Sequence, residues 1–423
     1  MTLLSAIMTS NPKDSSLAIN TPEKISLWQL FVIFLRLGLT SFGGPAAHIG
    51  FFRDEFVFKR QWLKEQDYGD LVSFCQFLPG PASSQVGIAI GLEKRGILGA
   101  IVTWIGFTLP SALLLFLVAI GLTEFSNTIP QTLIDSLQIA AIIVIAQATF
   151  AMGKSFCPNY QTLILMIITA FLVLLIPSSY AQIGLLIVAG IIGIFFLKPH
   201  SKTTINAPIN TLSDPINRGL PHSAKISLIL FIGLLAVLPI ITIFFKNDLI
   251  TLFDLFYRTG SIVFGGGHTI LPLLHHETVT TGMVSEAHFL AGYGAAQVVP
   301  GPLFTFAAFI GAKVPTTLPI AMTALICIVA IFLPSFLMII GLMPIWEKLR
   351  QKSTIRAALI GINAAVTGLL LAALLSAIYL VGFNQAHHYY VLLLGLFLLF
   401  FVKLPAWLIV IISALFGILL SFL

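Results

Sequence analysis

Apolar residues gather into stretches of about twenty, the length of a bilayer-crossing helix, with polar connections between them. Thirteen such segments are expected, at 26–46, 69–92, 97–122, 132–153, 160–177, 180–197, 225–245, 249–271, 287–312, 316–344, 355–381, 388–402 and 404–423. The pattern predicts an all-α polytopic membrane protein. One long polar connection, carrying Pro199, Pro208, Pro215 and Pro221, reads as a linker. The expected organisation is a polar tail (1–25), a first half (26–197), a cytoplasmic linker (198–224) and a second half (225–423) with its motifs in 249–381. From His48 to Gln66, Phe52, Phe56 and Leu63 fall near one helical face, and Arg53, Lys59, Arg60 and Lys64 are matched by Asp54, Glu55, Glu65 and Asp67. That balance predicts an amphipathic helix lying in the membrane interface.

Gln76-Phe77-Leu78-Pro79-Gly80-Pro81-Ala82-Ser83-Ser84-Gln85 interrupts the second segment. Proline removes a donor and clashes with the preceding turn, so one helix ends before Pro79 and another starts at Pro81. Lipid cannot satisfy the freed groups, so such a break belongs beside protein or a wet cavity. The simplest reading is a binding site. The segment either crosses with a break or re-enters; re-entry would move the connection after the first segment inside and cancel the thirteen-span count.

The device occurs twice. Gln297-Val298-Val299-Pro300-Gly301-Pro302 repeats it, and Phe34-Leu35-Arg36-Leu37-Gly38-Leu39-Thr40-Ser41-Phe42-Gly43-Gly44 recurs as Phe256-Tyr257-Arg258-Thr259-Gly260-Ser261-Ile262-Val263-Phe264-Gly265-Gly266. Glu65 answers Glu286, and Leu109-Pro110-Ser111 answers Leu333-Pro334-Ser335. The order and near-constant offset mark a duplication. The copies begin seven spans apart, and an odd offset inverts the second, the plan of secondary transporters with discontinuous midplane helices.

Only 9% of residues are charged and mean hydropathy is +1.02, which excludes a soluble domain. The net charge of +6 follows membrane orientation rather than nucleic-acid binding: with thirteen crossings, fourteen basic residues fall in inside connections and six outside, setting the N-terminus in and the C-terminus out. The first 25 residues carry no signal-peptide pattern. Cys75, Cys157 and Cys327 have no metal-like spacing and read as small buried hydrophobes.

Arg36 and Arg258 sit inside apolar segments, where a charge costs about 2.5–3.5 kcal/mol. Asp254, one turn before Arg258, offers a structural partner; Val32 stands at that position before Arg36. The alternative is an anion site, in which the arginines act with Ser41, Gly43, Gly44, Gln76, Pro79, Gly80, Pro81, Ser83, Ser84, Gly265, Gly266, Gln297 and Gly301. The glycines would bring backbone N–H groups to a ligand or else serve close packing. Gln76 and Gln297 would donate amide hydrogens or satisfy freed carbonyls. Guanidinium groups, half-helix ends and serine hydroxyls together suit a small tetrahedral dianion. His48, Asp70, His268 and Glu277 are the candidates for proton coupling, while His275, His276, His387 and His388 read as headgroup-level residues. His276-Glu277-Thr278-Val279-Thr280 lacks the second histidine of a zinc-protease motif, and no Gly-x-x-x-x-Gly-Lys-Ser/Thr loop is present. No enzyme, metal site or cofactor is expected.

At Ser41-Phe42-Gly43-Gly44-Pro45-Ala46-Ala47-His48, Trp62-Leu63, the stretch 71–87 and Gly106-Phe107-Thr108-Leu109-Pro110-Ser111, the sequence closely resembles the chromate ion transporter family in its long, two-half form. Phe264-Gly265-Gly266-Gly267 and the second Pro-Gly-Pro extend the match. The resemblance implies a bacterial inner-membrane secondary transporter that exports chromate on the proton motive force and confers chromate resistance. Its partners would be chromate, with sulfate as a near-isostere, and the lipid bilayer, with no nucleic acid and a homodimer allowed. Gly267 stands where Pro45 does, and Leu303-Phe304-Thr305 where Ala82-Ser83-Ser84 do, so unequal halves are expected: a polar first break for binding, an apolar second one for gating.

Overall fold

The structure, a computed structural model, describes residues 25–124, 130–176, 179–197, 221–245, 247–264, 269–346, 352–382 and 384–422. Among them there is no strand. The first half comprises α1 (Leu27–Thr40), α2 (Gly44–Arg53, continued by a wider turn through Asp54–Lys59), α3 (Glu65–Phe77), α4 (82–94), α5 (97–124), α6 (Gln131–Phe156), α7 (Tyr160–Leu175) and α8 (Ser179–Phe196). An additional helix, α9 (His222–Phe244), leads to the second half: α10 (Asp248–Ile262), α11 (Ile270–His275, continued through His276–Thr280), α12 (Glu286–Val298), α13 (Phe306–Lys313), α14 (Ile320–Leu342), α15 (Ser353–Val381), α16 (Ala386–Phe397) and α17 (Ala406–Leu420). Among the described residues the two halves match helix for helix, and α9 is the odd one. Several helices, including Gln131–Phe156, His222–Phe244 and Ile320–Ile345, are long and apolar enough to cross a bilayer. The chain is a multi-pass α-helical membrane protein.

Helix ends follow local chemistry. A capping box at Ser26 and Gln29 starts α1, the Asn247 side chain caps α10 and Ser285 caps α12. Arg95 (φ −143°) and Gly96 (φ +65°) break the helical path between α4 and α5. The chain reverses there. Thr103 Oγ1 on α5 donates to the Gly87 carbonyl on α4 (3.0 Å), and a Cβ at Gly91 or Gly99 would strike the other's carbonyl.

Four expected spans are instead antiparallel hairpins. At 14 residues, α1 is only about 21 Å long. It ends at Ser41, and α2 returns along it: Phe34 stacks on Phe56 (5.3 Å) and meets Phe52 edge-on (5.7 Å). The proposed interfacial helix is thus the return arm of a hairpin, with Phe52 and Phe56 fully buried because α1 and α5 offer them aromatic partners. Between α3 and α4 the Pro-Gly-Pro forms the tip, and the open ends meet at a cavity of about 230 Å³ lined by Asp67 and Asp70 from α3 and Glu93 from α4. In the second half, Arg258 of α10 pairs with Glu277 just beyond α11 (2.9 Å). Finally, α12 and α13 lie together, with the Phe309 ring filling the space left by Gly292 and Lys313 near His288. Expected spans 26–46, 69–92, 249–271 and 287–312 are therefore broken, with no helix longer than the 15 residues of α10 in any of them. In 69–92 and 287–312 the apolar length is shared between two short arms, and in 26–46 and 249–271 it is one arm with its turn, which length alone does not separate from one crossing.

The halves are interleaved. In the first, α6 packs against α16 and α17 of the second, while α15 of the second packs against α7 and α8 of the first. Glycines set both contacts: Gly361 of α15 lies on the Ala189 carbonyl of α8, and Gly417 of α17 on Ser136 of α6. In parallel, α1 rests on α5 through Gly38 and α10 on α14 through Gly260. The crossing helix α5 also carries α13 and α14 of the other half, so it links the two hairpin sets.

Candidate functional site

The four tips converge, and the convergence is reciprocal. Gly80 N–H, from the first Pro-Gly-Pro, donates to the Val263 carbonyl at the end of α10 (2.7 Å). Gly301 N–H, from the second, donates to the Ser41 carbonyl at the end of α1 (2.9 Å). Ser41 and Val263 are equivalent positions of the duplication, as are Gly80 and Gly301. Each break thus completes the first hairpin of the opposite half. Both glycines hold φ values closed to other residues, +119° and +109°. A Cβ on Gly80 would lie 2.6 Å from Ser335 Oγ, and one on Gly301 2.8 Å from Ser111 Oγ, the two serines that repeat each other beside Pro110 and Pro334.

His48 ties the tips of the first half together. Its buried ring lies edge-on to Phe107, with Nε2 3.1 Å from the Ser41 carbonyl and Nδ1 3.3 Å from Ser83 Oγ. A carbonyl only accepts, so Nε2 carries the proton and the neutral ring takes a hydrogen bond from Ser83 at Nδ1. One carbonyl, that of Ser41, therefore collects His48 and Gly301 from different hairpins.

Gln85 holds the first break. Fully buried, it donates from Nε2 to the Pro79 carbonyl (2.6 Å), with Ser335 Oγ at 3.4 Å. Sequence reasoning gave Gln76 a share of that task, but Gln76 is exposed on α3: it stands three positions before Pro79 on a helix whose buried face carries Phe74 and Cys75. The signal for Gln85 was its place one turn beyond the break, where a side chain reaches back.

Several buried polar atoms at or beside the tips lack a protein partner: Ser41 Oγ, Ser84 Oγ, Gln85 Oε1, Thr108 Oγ1 and Gln297 Nε2. The Gln297 side chain also neighbours that of Tyr293. Unpaired buried hydroxyl and amide groups cost free energy, and a ligand or water would satisfy them. The N-terminal ends of α2, α4 and α13 all start at the tips, so their partial positive charge faces the same region. Gly43 (φ +94°) and Gly44 (φ +78°) open α2, and the space a Cβ would take at Gly44 is empty.

The remaining expected residues scatter. Arg258 is held between Asp254 and Glu277, each at 2.9 Å, so its partner is structural and Glu277 is engaged there too. Arg36 lost this cage: Val32 replaces the first acid, and Glu55, equivalent to Glu277, turns to Arg60 (2.7 Å) and Lys59. Arg36 is exposed on α1, one turn before the tip. Asp70 is buried at the open end of its hairpin, ten residues from Gly80 and apart from the tips. Gly265, Gly266 and His268 lie outside the described residues. His387 and His388, read from the sequence as headgroup-level residues, meet Asp135 near the start of α6.

The sequence profile of the chromate transporter family matches residues 28–194 and again 250–418. A probable chromate transport protein of Synechococcus elongatus is 28% identical over 96% of this chain and 98% of its own length. The chromate transport protein of Pseudomonas aeruginosa is 26% identical over 82% of this chain and 80% of its own. An uncharacterized transporter of Methanocaldococcus jannaschii is 26% identical over 96% and 97%. No solved structure matches. With a profile that covers both halves and relatives that run nearly end to end, the chain belongs to the chromate transporter family.

Proposed function

We propose that this protein exports chromate across the bacterial inner membrane, driven by the proton motive force, and so confers chromate resistance. The observation that carries the reading is the reciprocal meeting of the two Pro-Gly-Pro tips with Ser41 and Val263, ringed by unpaired Ser41, Ser84, Gln85, Thr108 and Gln297 atoms. Such donors and helix N-termini suit a tetrahedral oxyanion. Arg36, uncaged, attracts the anion at the approach, whereas the caged Arg258 holds its own hairpin. That inequality follows the expected split between a binding first half and a gating second half.

The halves are read as inverted. The open end of α3–α4 adjoins the start of α5, and Lys313, at the open end of α12–α13, reaches Thr123 at the far end of α5 (2.6 Å). Those ends are about 40 Å apart along 28 helical residues. Nine crossings and four hairpins replace thirteen crossings, and the parity survives because four spans were removed. N-terminus in and C-terminus out is retained. Arg53, Lys59, Arg60 and Lys64 move inside, leaving Lys246 and Lys313 as the outside basic residues and sharpening the positive-inside bias.

Proton coupling is assigned to His48. Protonation at Nδ1 turns that atom from acceptor to donor, so Ser83 must accept and its own O–H swings free. A proton arriving at His48 thereby changes which hydroxyls face the anion.

The test is labelled chromate uptake into everted vesicles, with and without an imposed pH gradient and with sulfate as competitor. Gradient-dependent uptake indifferent to sulfate is the expected result. Uptake abolished by sulfate would replace chromate by a broader oxyanion substrate, and no flux would overturn the reading.

A further inference from the structure

Away from the tips, Asp135 near the start of α6 meets His387 and His388 at the start of α16. Oδ2 lies 2.9 Å from His387 Nε2 and 3.5 Å from His388 Nε2, and one ligand atom from each residue lies within 4.8 Å of the others. Ligands 2.0–2.2 Å from a tetrahedral Zn²⁺ stand roughly 3.3 Å from one another. The observed spacing brackets that value. The carboxylate is also oriented from behind, since Gln131 Nε2 holds Oδ1 at 2.9 Å and turns Oδ2 to the imidazoles. Outer partners of this kind are what fix metal ligands. The two imidazole rings lie 4.5 Å apart and nearly perpendicular, so their nitrogens approach one point without stacking. Side-chain exposures of 15%, 20% and 9% leave the group partly open to water for a fourth ligand.

We propose that Asp135, His387 and His388 form a binding site for a divalent transition metal of the Zn²⁺ class. Two imidazoles and one carboxylate favour Zn²⁺, Cu²⁺ or Ni²⁺ over Mg²⁺ or Ca²⁺. Because α6 belongs to the first half and α16 to the second, the bound ion clamps the interleaved halves at that face. The site is independent of the anion path.

The experiment uses the full-length protein in detergent, stripped with EDTA and titrated with Zn²⁺ against a chromogenic chelator. One ion per chain is expected. His387→Gln and Asp135→Asn should each weaken binding at least as much as the roughly 10–100-fold that loss of an outer-shell partner costs, while His275→Ala leaves it unchanged. Cu²⁺ on the unsubstituted protein should show EPR coupling to two imidazole nitrogens, a readout that needs no variant to fold. No Zn²⁺ binding, unchanged affinity in both variants, or a Cu²⁺ spectrum without imidazole nitrogen would overturn the proposal and leave an ordinary His–Asp contact.

Discussion

Gly301→Ala tests the convergence of the tips. Holding an alanine near φ +109° costs about 1–3 kcal/mol. The new Cβ would also lie 2.8 Å from Ser111 Oγ and 3.1 Å from Ser111 Cβ, on a helix that cannot retreat, adding the roughly 1–3 kcal/mol of overpacking. The sum, about 2–6 kcal/mol, disfavours the observed meeting of the tips roughly 30-fold or more. Gly44→Ala is the matched control: φ is +78° with nothing within 4 Å, so only the left-handed penalty of about 1–2 kcal/mol applies. Thermal unfolding of the purified variants and chromate flux in vesicles both read the difference. Ser111→Gly should relieve the overpacking part, appearing in a double-mutant cycle as about 1–3 kcal/mol of favourable coupling with Gly301→Ala. Equal damage from Gly301→Ala and Gly44→Ala, or zero coupling to Ser111, would show that the second break does not press on α5.

Gln85→Leu strands the buried Pro79 carbonyl and should cost about 1–3 kcal/mol in unfolding free energy, whereas Gln76→Ala, at an exposed position, stays within about 0.5 kcal/mol; equal effects would return the break to Gln76. Arg258→Ala leaves Asp254 and Glu277 uncompensated and should destabilise the protein by about 3–5 kcal/mol, while Arg36→Ala should leave the Tm in place and abolish chromate flux; retained flux would remove Arg36 from the anion path. For topology, Lys59→Cys and Lys313→Cys should react with a membrane-impermeant maleimide from opposite sides of the membrane, the native Cys75, Cys157 and Cys327 being buried; labelling from one side would reject inversion.

Hydropathy identified the helices, and the duplicated Phe-x-Arg and Pro-Gly-Pro motifs located two tips in each half. What they left open was direction. A 24-residue apolar run with a central break has the same composition whether its second arm continues or returns. The difference lies in contacts between the two arms, such as the cavity that Asp70 of α3 and Glu93 of α4 line together, formed only if the second arm turns back. Pattern reasoning also favoured charged residues over Gln85, because a buried arginine is conspicuous in sequence and a glutamine that props a carbonyl is not. Arg258 shows the converse. Asp254 was legible one turn away, but Glu277, nineteen residues on, required the hairpin to close.

The exchange of helices between halves bears on how the protein is made. A ribosome delivers α6 to the membrane long before α16 and α17 exist, and α7 and α8 before α15. The amino-terminal portion must therefore wait with unfinished contact faces held by lipid or by an insertion factor, and the final packing step is threaded late, from the carboxyl-terminal end. Two separately synthesised pieces divided between Phe196 and His222 would each contain what the other lacks, so co-expression should restore one molecule where neither piece alone is stable.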